Sequence, residues 1–227
     1  MSPRCLFLGN CGLLLRTETS AILVDAPNRR FTAFDSMPEA EREALMAFET
    51  PYNSLCGLFF THYHGDHFDR KTVRELVDRR RELMVLIPNG ETPASGVLTC
   101  GDFTVTYLTV AHSGAEFSQV NHRTLLIEAE GKCLYVTGDA DWAAPEHDAV
   151  LSRYAPDFVF CNPNYLTHEE GRALLRRTRR CLLYHLPVTS PDSLGIYRKC
   201  RTAWERYGRE LPNVILADKY PMEIDFS

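Results

Sequence analysis

The sequence predicts an α/β fold, and three observations carry the prediction. Short apolar segments with turns between them crowd the first part of the chain. Strand-like and helix-like segments alternate over the second part. Several of the strand-like segments run straight onto a histidine or an aspartate.

Taken in order, Cys5–Leu8, Leu13–Arg16 and Ala21–Val24 read as strands, with Gly9-Asn10 and Thr17–Ser20 as the turns. Asp25-Ala26-Pro27 ends this section, and residues 28–54 form an irregular insert. Inside the insert, Ser36-Met37-Pro38-Glu39 has the form of a capping box, so a helix is expected there, closing before Pro51. Its apolar face (Ala44, Leu45, Phe48) is narrow, which predicts a surface position. Gly57–Phe60 is an apolar strand that runs into His62, and a helix is expected over Lys71–Arg81. Strands follow at Met84–Ile87 and Phe103–Val110, then a hairpin of Thr124–Glu128 and Cys133–Thr137 around Glu130-Gly131-Lys132. Asp157–Cys161 is a further strand. Thr167-His168-Glu169-Glu170 is expected to cap a helix with a basic last turn, Arg176–Arg180. Leu182–Leu186 reads as a strand containing His185, Ser190-Pro191 as the start of the last helix, and Val214–Ala217 as the closing strand.

Composition bounds the function. The chain has 227 residues, 44% hydrophobic and 24% charged, an ordinary balance for a globule able to bury a large core in one domain spanning 1–227. A formal net charge of −5 argues against nucleic acid or an anionic membrane as partner. No apolar run approaches the roughly 18–20 residues of a membrane span, and Met1–Arg16 reads as two strands rather than a leader. The eight cysteines are scattered without a C-x-x-C pair, which predicts reduced thiols and a cytoplasmic protein.

The chemistry concentrates in Thr61-His62-Tyr63-His64-Gly65-Asp66-His67, where three of the eight histidines fall within six residues. In an extended segment residues two apart face the same way, so His62 and His64 can share one metal ion. A turn at Gly65 can swing Asp66 and His67 towards a second. Imidazole and carboxylate donors suit zinc, iron or manganese. One loop supplies too few ligands for two ions, and the candidates for the remainder sit at strand ends: His112, Asp139 (with Asp141 as substitute) and His185.

These residues, in this order, resemble the metallo-β-lactamase superfamily, whose signature is H-x-H-x-D-H followed by a distant His, an Asp after a strand and a last His. An early Asp closing a strand, here Asp25, is also typical. Asp69 extends the motif to H-x-H-x-D-H-x-D, which looks like the branch of ascorbate-6-phosphate lactonases and phospholipase-D-type phosphodiesterases. The resemblance implies a four-layer αββα sandwich with two divalent metal ions at one edge, zinc first and manganese or iron as alternatives. Carried over by position, His62, His64 and His112 would bind one ion, Asp66, His67 and His185 the other, and Asp139 both. It further implies a hydrolase in which a metal-bridging hydroxide attacks a small ester, lactone or phosphodiester, with Asp66 also moving a proton. An iron-dependent redox enzyme and a non-catalytic metal-binding protein are the competing expectations.

The other polar residues have readings of their own. Asp69 suits a helix N-cap or a partner of a ligand histidine. Tyr63, His122, Asn162 and Asn164 are candidates to contact the small-molecule substrate, and the insert 28–54 to form a pocket wall. His147 and His168 are expected to be solvated. The arginines between Arg176 and Arg180 are expected to be a solvated helix end.

Overall fold

The computed structural model describes residues 3–226. In chain order the elements are β1 (Arg4–Gly9), β2 (Gly12–Arg16), β3 (Ala21–Val24), α1 (Glu39–Ala47), β4 (Leu55–Phe59), α2 (Arg70–Arg79), β5 (Met84–Leu86), β6 (Ser95–Cys100), β7 (Phe103–Thr109), β8 (Arg123–Ala129) and β9 (Lys132–Val136). They continue with α3 (Glu146–Tyr154), β10 (Phe158–Cys161), α4 (Asn164–Thr167), α5 (Glu169–Leu175), β11 (Cys181–Leu183), α6 (Ile196–Tyr207), β12 (Val214–Leu216) and β13 (Met222–Ile224). A six-stranded sheet runs β13-β1-β2-β3-β4-β5, and a seven-stranded sheet runs β12-β11-β10-β9-β8-β7-β6.

Alternation along the strands explains the layers. Leu13, Leu15, Ile22, Val24 and Phe59 meet Val105, Ile127, Val136, Phe158 and Phe160 in the core between the sheets. The intervening Leu14, Leu23 and Leu58 point outward and pack with Leu45 of α1 and Val73 and Leu76 of α2. On the other side Tyr135, Val159, Cys161 and Leu183 pack with Val150, Leu174 and Cys200 of the remaining helices. Strands buried on both faces read as continuous apolar runs, as these do. The result is a helix–sheet–sheet–helix sandwich.

Several expectations need correction. α1 starts at Glu39 with Pro38 as N-cap and no side-chain cap, so the Ser36 capping box does not form. Leu45 makes α1 more than a surface helix, since it is wholly buried. Likewise α5 begins at Glu169 with no side-chain cap and stops at Leu175, leaving Arg176–Arg180 outside the helix. β11 ends at Leu183, so His185 lies beyond the strand rather than within it. α6 starts at Ile196, later than Ser190-Pro191, with Gly195 as N-cap, and Asp192, upstream of the cap, accepts from Tyr197 N and Arg198 N at 3.1 and 3.0 Å. β6, α3, α4 and β13 are additional elements.

The sheet directions fix where the chemistry gathers. β3, β4 and β5 are parallel neighbours, as are β9, β10, β11 and β12. β7 runs the same way as β9 because both are antiparallel to β8. The carboxyl ends of β3, β4, β7, β9, β10 and β11 therefore open on one edge of the sandwich, where α/β folds place their binding loops.

Candidate metal centre

Seven polar residues converge at that edge. His62, His64, His112 and Asp139 bring one donor atom each within 4.8 Å of one another, and so do Asp66, His67 and His185. Asp139 touches both groups. Its Oδ2 lies 3.9 Å from His62 Nε2, 3.5 Å from His112 Nε2 and 3.4 Å from His67 Nε2, and its Oδ1 lies 3.3 Å from His185 Nε2. Asp66 Oδ2 is 3.5 Å from His185 Nε2. Asp141, the substitute for Asp139, accepts from Ala143 N instead.

Local structure accounts for the convergence. After β4 the chain stays extended through His62 and His64, then turns so that His67 N and Phe68 N donate to His64 O at 3.0 and 2.8 Å. That turn carries Asp66 and His67 to the second group. His112 and Asp139 are brought side by side by a bridge between His112 and Ala140 and by Ser113 N donating to Asp139 O at 2.8 Å. His185 takes a left-handed backbone, φ 62°, with its N–H donating to Asn10 O at 2.6 Å. A histidine in that region is strained, and such strain concentrates at functional sites.

The hydrogen bonds behind the cluster assign the ring tautomers. Asp25 accepts from Thr61 N at 2.7 Å, from Thr61 Oγ1 at 2.9 Å and from His67 Nδ1 at 3.0 Å. Thr61 Oγ1 in turn accepts from His62 Nδ1 at 3.0 Å, and Ser113 O from His112 Nδ1 at 2.7 Å. With these Nδ1 protons committed, the Nε2 atoms of His62, His67 and His112 are lone pairs aimed at one carboxylate oxygen. His62 Nε2 also faces His64 Nδ1 at 3.0 Å, and His67 Nε2 faces His185 Nε2 at 3.1 Å. Buried His112 Nε2 and Asp66 Oδ1 have no hydrogen-bond partner among the described residues. Converging, uncompensated donors of this kind need a cation between them, so the residues fit bound divalent metal.

Electrostatics agrees. Burial, reinforced by the neighbouring His67, holds the His62 pKa well below the usual imidazole range, which keeps it a neutral donor. Burial pushes the Cys11 thiol up to about 12. Although Cys11, Asp25 and His67 also lie together, a neutral thiol and a carboxylate already bonded to Thr61 and His67 make that group a support behind the cluster.

Other sequence candidates fall elsewhere. His122 is buried, with Nδ1 donating to Val110 O at 3.0 Å and Nε2 accepting from Asp139 N at 3.1 Å. Burial pushes its pKa down to about 3. Both nitrogens are used, so His122 positions Asp139 and offers nothing to a substrate. Tyr63, 49% exposed, lines a neighbouring cavity rather than the metal pocket, because it alternates with His62 and His64. Asn162 and Asn164 do line the metal pocket. Asn162 is tied to Gly138 O and Asn164 N, at 3.2 and 3.0 Å. Asp69 is the N-cap of α2 and also accepts from Arg42 at 3.0 Å, so it orients no ligand histidine. His147 is not solvated; it is buried between Tyr135 and Tyr165, with Tyr135 Oη 2.8 Å from Nδ1 and Tyr165 Oη 2.8 Å from Nε2. His168 is half-buried and stacked on Trp142 at 3.8 Å.

Sequence reasoning reads Asn10 only as a turn residue and misses its role. Its Nδ2 donates to Asp66 O at 2.7 Å while its carbonyl accepts from His185 N. Thr61, joining Asp25 to His62, was also missed. Both sit beside motif residues at strand ends, the one signal that could have marked them.

The insert 28–54 supplies one wall of the pocket, a cavity of about 570 Å³, through Phe31, Thr32 and Phe34. Phe117, Leu194 and Ile196 line it opposite. Phe34 packs on the His185 ring at 4.1 Å and Phe117 on His112 at 4.8 Å.

No family sequence model matches this chain, and no curated protein matches it in sequence. Solved structures do match in fold. A possible metal-dependent hydrolase of Veillonella parvula superposes with a TM-score of 0.69 at 15% identity, over 97% of this chain and 98% of the other. The isothiocyanate hydrolase of Delia radicum gut bacteria gives 0.67 at 16% identity over 99% of both chains. A metallo-β-lactamase-fold protein of Bacillus subtilis gives 0.64 at 14% identity over 98% of this chain and 99% of the other. CmlA, a diiron β-hydroxylase of Streptomyces venezuelae, gives 0.60 at 13% identity, over 98% of this chain but 53% of its own. The protein has the metallo-β-lactamase fold. Among the described residues, no helix is long and apolar enough to cross a membrane.

Proposed function

We propose that this protein is a binuclear metal-dependent hydrolase acting on a small ester, lactone or phosphodiester. One observation carries the reading: two His/Asp donor groups share Asp139, with ring lone pairs converging on it. His62, His64 and His112 would hold one ion, Asp66, His67 and His185 the other, and Asp139 both. Zinc suits the imidazole and carboxylate donors. Two such ions, when bound, would supply Lewis acidity towards the substrate oxygen and make water acidic enough to ionise near neutral pH.

The chain's own residues do the rest. Asp66 Oδ1, unpartnered and at the pocket, is placed to accept a proton from water and return it to the leaving oxygen. Thr61 and Asp25 hold His62 and His67 in the donating tautomer. Asn164 is one of the polar residues lining the pocket, with Thr32, Ser113 and Glu116. Phe31, Phe34, Phe117, Leu194 and Ile196 suit an apolar substituent next to the scissile bond and exclude water from it. A cytoplasmic location and a small-molecule partner belong to this reading too.

The diiron hydroxylase CmlA, sharing the fold, favours iron-dependent oxidation as the second reading. Elemental analysis of protein purified near neutral pH without chelator separates them. About two equivalents of zinc or manganese, with hydrolysis of chromogenic esters or phosphodiesters that is lost in His64→Ala, is the expected result. Two equivalents of iron with oxygen consumption would replace hydrolysis by oxidation. Undiminished metal stoichiometry in Asp139→Ala would overturn the shared-ligand assignment.

A further inference from the structure

At the edge opposite the metal centre, two thiols meet across the sandwich. Cys56 lies near the start of β4, whose other end leads to His62. Cys100 closes β6, which is antiparallel to β7 and so ends where β7 begins. β4 belongs to the six-stranded sheet, and β6 is the edge strand of the seven-stranded one. Both cysteines are free, yet Cys100 Sγ donates to Cys56 Sγ at 2.9 Å. Cys56 Sγ donates in turn to Ala21 O at 3.2 Å.

The surroundings hold the two sulfurs together. The turn after Cys100 is tied to the β2–β3 turn: Asp102 Oδ2 accepts from Thr17 Oγ1 at 2.5 Å and from Thr19 Oγ1 at 2.6 Å, and Asp102 N donates to Ser20 Oγ at 3.3 Å. A glycine follows each cysteine and keeps space for the other sulfur. A Cβ on Gly57 would stand 2.8 Å from Cys100 Sγ, besides 2.5 Å from the Phe59 ring. A Cβ on Gly101 would stand 3.2 Å from Cys56 Sγ, besides 2.2 Å from Ser20 Oγ. Cys56 is partly exposed and Cys100 buried, so a small oxidant meets Cys56 first. The hydrogen bond from Cys100 holds the Cys56 pKa below the usual thiol value, against the opposing effect of burial. The thiolate is the form that oxidants react with. Other thiols lack this combination. Cys161 and Cys181 lie 3.2 Å apart but are both wholly buried. Cys133 is partly exposed, but burial pushes its thiol up to about 12.

We propose that Cys56 and Cys100 form a site of oxidative modification, where hydrogen peroxide converts the thiol pair into a disulfide that locks the two sheets together. The Cys56 thiolate attacks one oxygen of the peroxide and becomes a sulfenic acid. The O–O bond breaks, and the departing hydroxide takes up the proton that Cys56 gave up, leaving as water. Cys100 Sγ then attacks the Cys56 sulfur. The S–S bond forms, the S–O bond breaks, and the Cys100 proton leaves with that oxygen as a second water. The two electrons lost by the sulfurs reduce the peroxide. A disulfide is about 2.0 Å long, so the sulfurs must close by roughly 0.9 Å from their 2.9 Å separation. The pair stands at the far edge from the metal centre and does not rest on the hydrolase reading.

Reduced protein, with its metal content as purified, is treated with a modest molar excess of hydrogen peroxide, quenched with catalase and analysed by mass spectrometry. The intact mass is expected to fall by two hydrogens, and a digest to contain a Cys56–Cys100 linked peptide that dithiothreitol separates. Closing so long a chain loop should raise the melting temperature by about 5–15 °C. Dithiothreitol should reverse the rise, and metal content should not change. Cys56→Ser should show neither the linked peptide nor the rise. In Cys100→Ala the sulfenic acid has no thiol to resolve it and should be captured by dimedone at Cys56. Cys100→Ser repeats this trapping with a second side chain, and melts of both reduced variants check that they fold. Oxygen added at Cys56 of wild type without a linked peptide would overturn the proposal. So would a Cys161–Cys181 peptide in its place, or an unchanged mass.

Discussion

Asn10 joins the two halves of the second donor group, and its replacement by alanine has a magnitude that follows from the geometry. The amide donates to buried Asp66 O at 2.7 Å, and the backbone sits at φ 51°. Removing the amide leaves that carbonyl with the weak Cys11 Sγ donor at 3.1 Å, a loss of roughly 1–3 kcal/mol. Alanine in the left-handed region costs about 1 kcal/mol more, whereas glycine does not. Asn10→Ala should therefore lose about 2–4 kcal/mol and Asn10→Gly about 1 kcal/mol less, which for a chain of this size puts the alanine melt roughly 5–15 °C below wild type. Asp66 also loses the bond that places it against His185, so on the binuclear reading proposed above the ion held by Asp66, His67 and His185 should bind about 10–100-fold less tightly in both variants. Circular dichroism melts and chelator competition read the two effects separately. Equal stabilities of the alanine and glycine variants would refute the backbone argument, and unchanged affinity of the second equivalent would refute Asn10 as a positioning residue.

Further outcomes follow from the packing and the charges. Leu45→Ala should cost about 2–5 kcal/mol in a urea melt, because Leu45 is the side chain of α1 that is fully buried; a loss under about 1 kcal/mol would return α1 to the surface. Burial lowers the His147 pKa below 6.5 against the opposing pull of Asp141 O and nearby acids. The folded state thus favours neutral His147, the unfolded chain takes up the proton, and stability declines as pH falls below about 6.5. His147→Gln should flatten that part of the stability–pH curve, and an unchanged slope would count against it. Asp35 has its pKa lowered: burial opposes its charge, but the hydrogen bonds from Ser190 and Thr189 outweigh burial. Its contribution is present above the unfolded value near 4 and is lost as pH falls through the folded one. Asp35→Asn should therefore lower stability at neutral pH and reduce the acid sensitivity below about pH 4.

Much of this architecture was legible because burial on both faces writes itself into sequence as unbroken apolar strands, as in Leu13–Leu15 and Ala21–Val24. The donor cluster at His62–His67 was legible because its residue types are rare and closely spaced. What escaped has physical reasons. β6 exposes alternate residues and contains Ser95, Gly96 and Thr99, so it carries little apolar signal; Gly96 is there because a Cβ would stand 2.3 Å from Tyr107 Oη. β13 has three residues and is defined by pairing with β1 across most of the chain. His147 looked solvated because its partners, Tyr135 and Tyr165, come from separate elements. The orientation of Tyr63 was implicit in the alternation of His62 and His64, but the cavity behind it depends on Arg29, brought from the insert.

The three residues Asn10, Asp25 and His185 share an uncommon property: each is a non-glycine residue with positive φ, at 51°, 49° and 62°. Each follows a strand of the sandwich, and each is tied to the metal-ligand segment or to another of the three: Asn10 to Asp66 and His185, Asp25 to Thr61 and His67. Left-handed backbone at such residues persists when the surroundings over-determine it. Here the surroundings are strands anchored in cores on both faces of each sheet, none of which includes a donor residue. The strain and the converging lone pairs are thus carried by a scaffold whose apolar cores contain none of the His and Asp donors. Removing metal by chelation should leave the circular dichroism spectrum folded and lower the melting temperature by an amount that depends on free metal concentration, about 2.7 kcal/mol of stabilisation at a hundredfold excess over Kd. A chelated protein that is unfolded at room temperature would mean instead that the donor cluster cannot be held without its ions, and that the sandwich and the site fold as one.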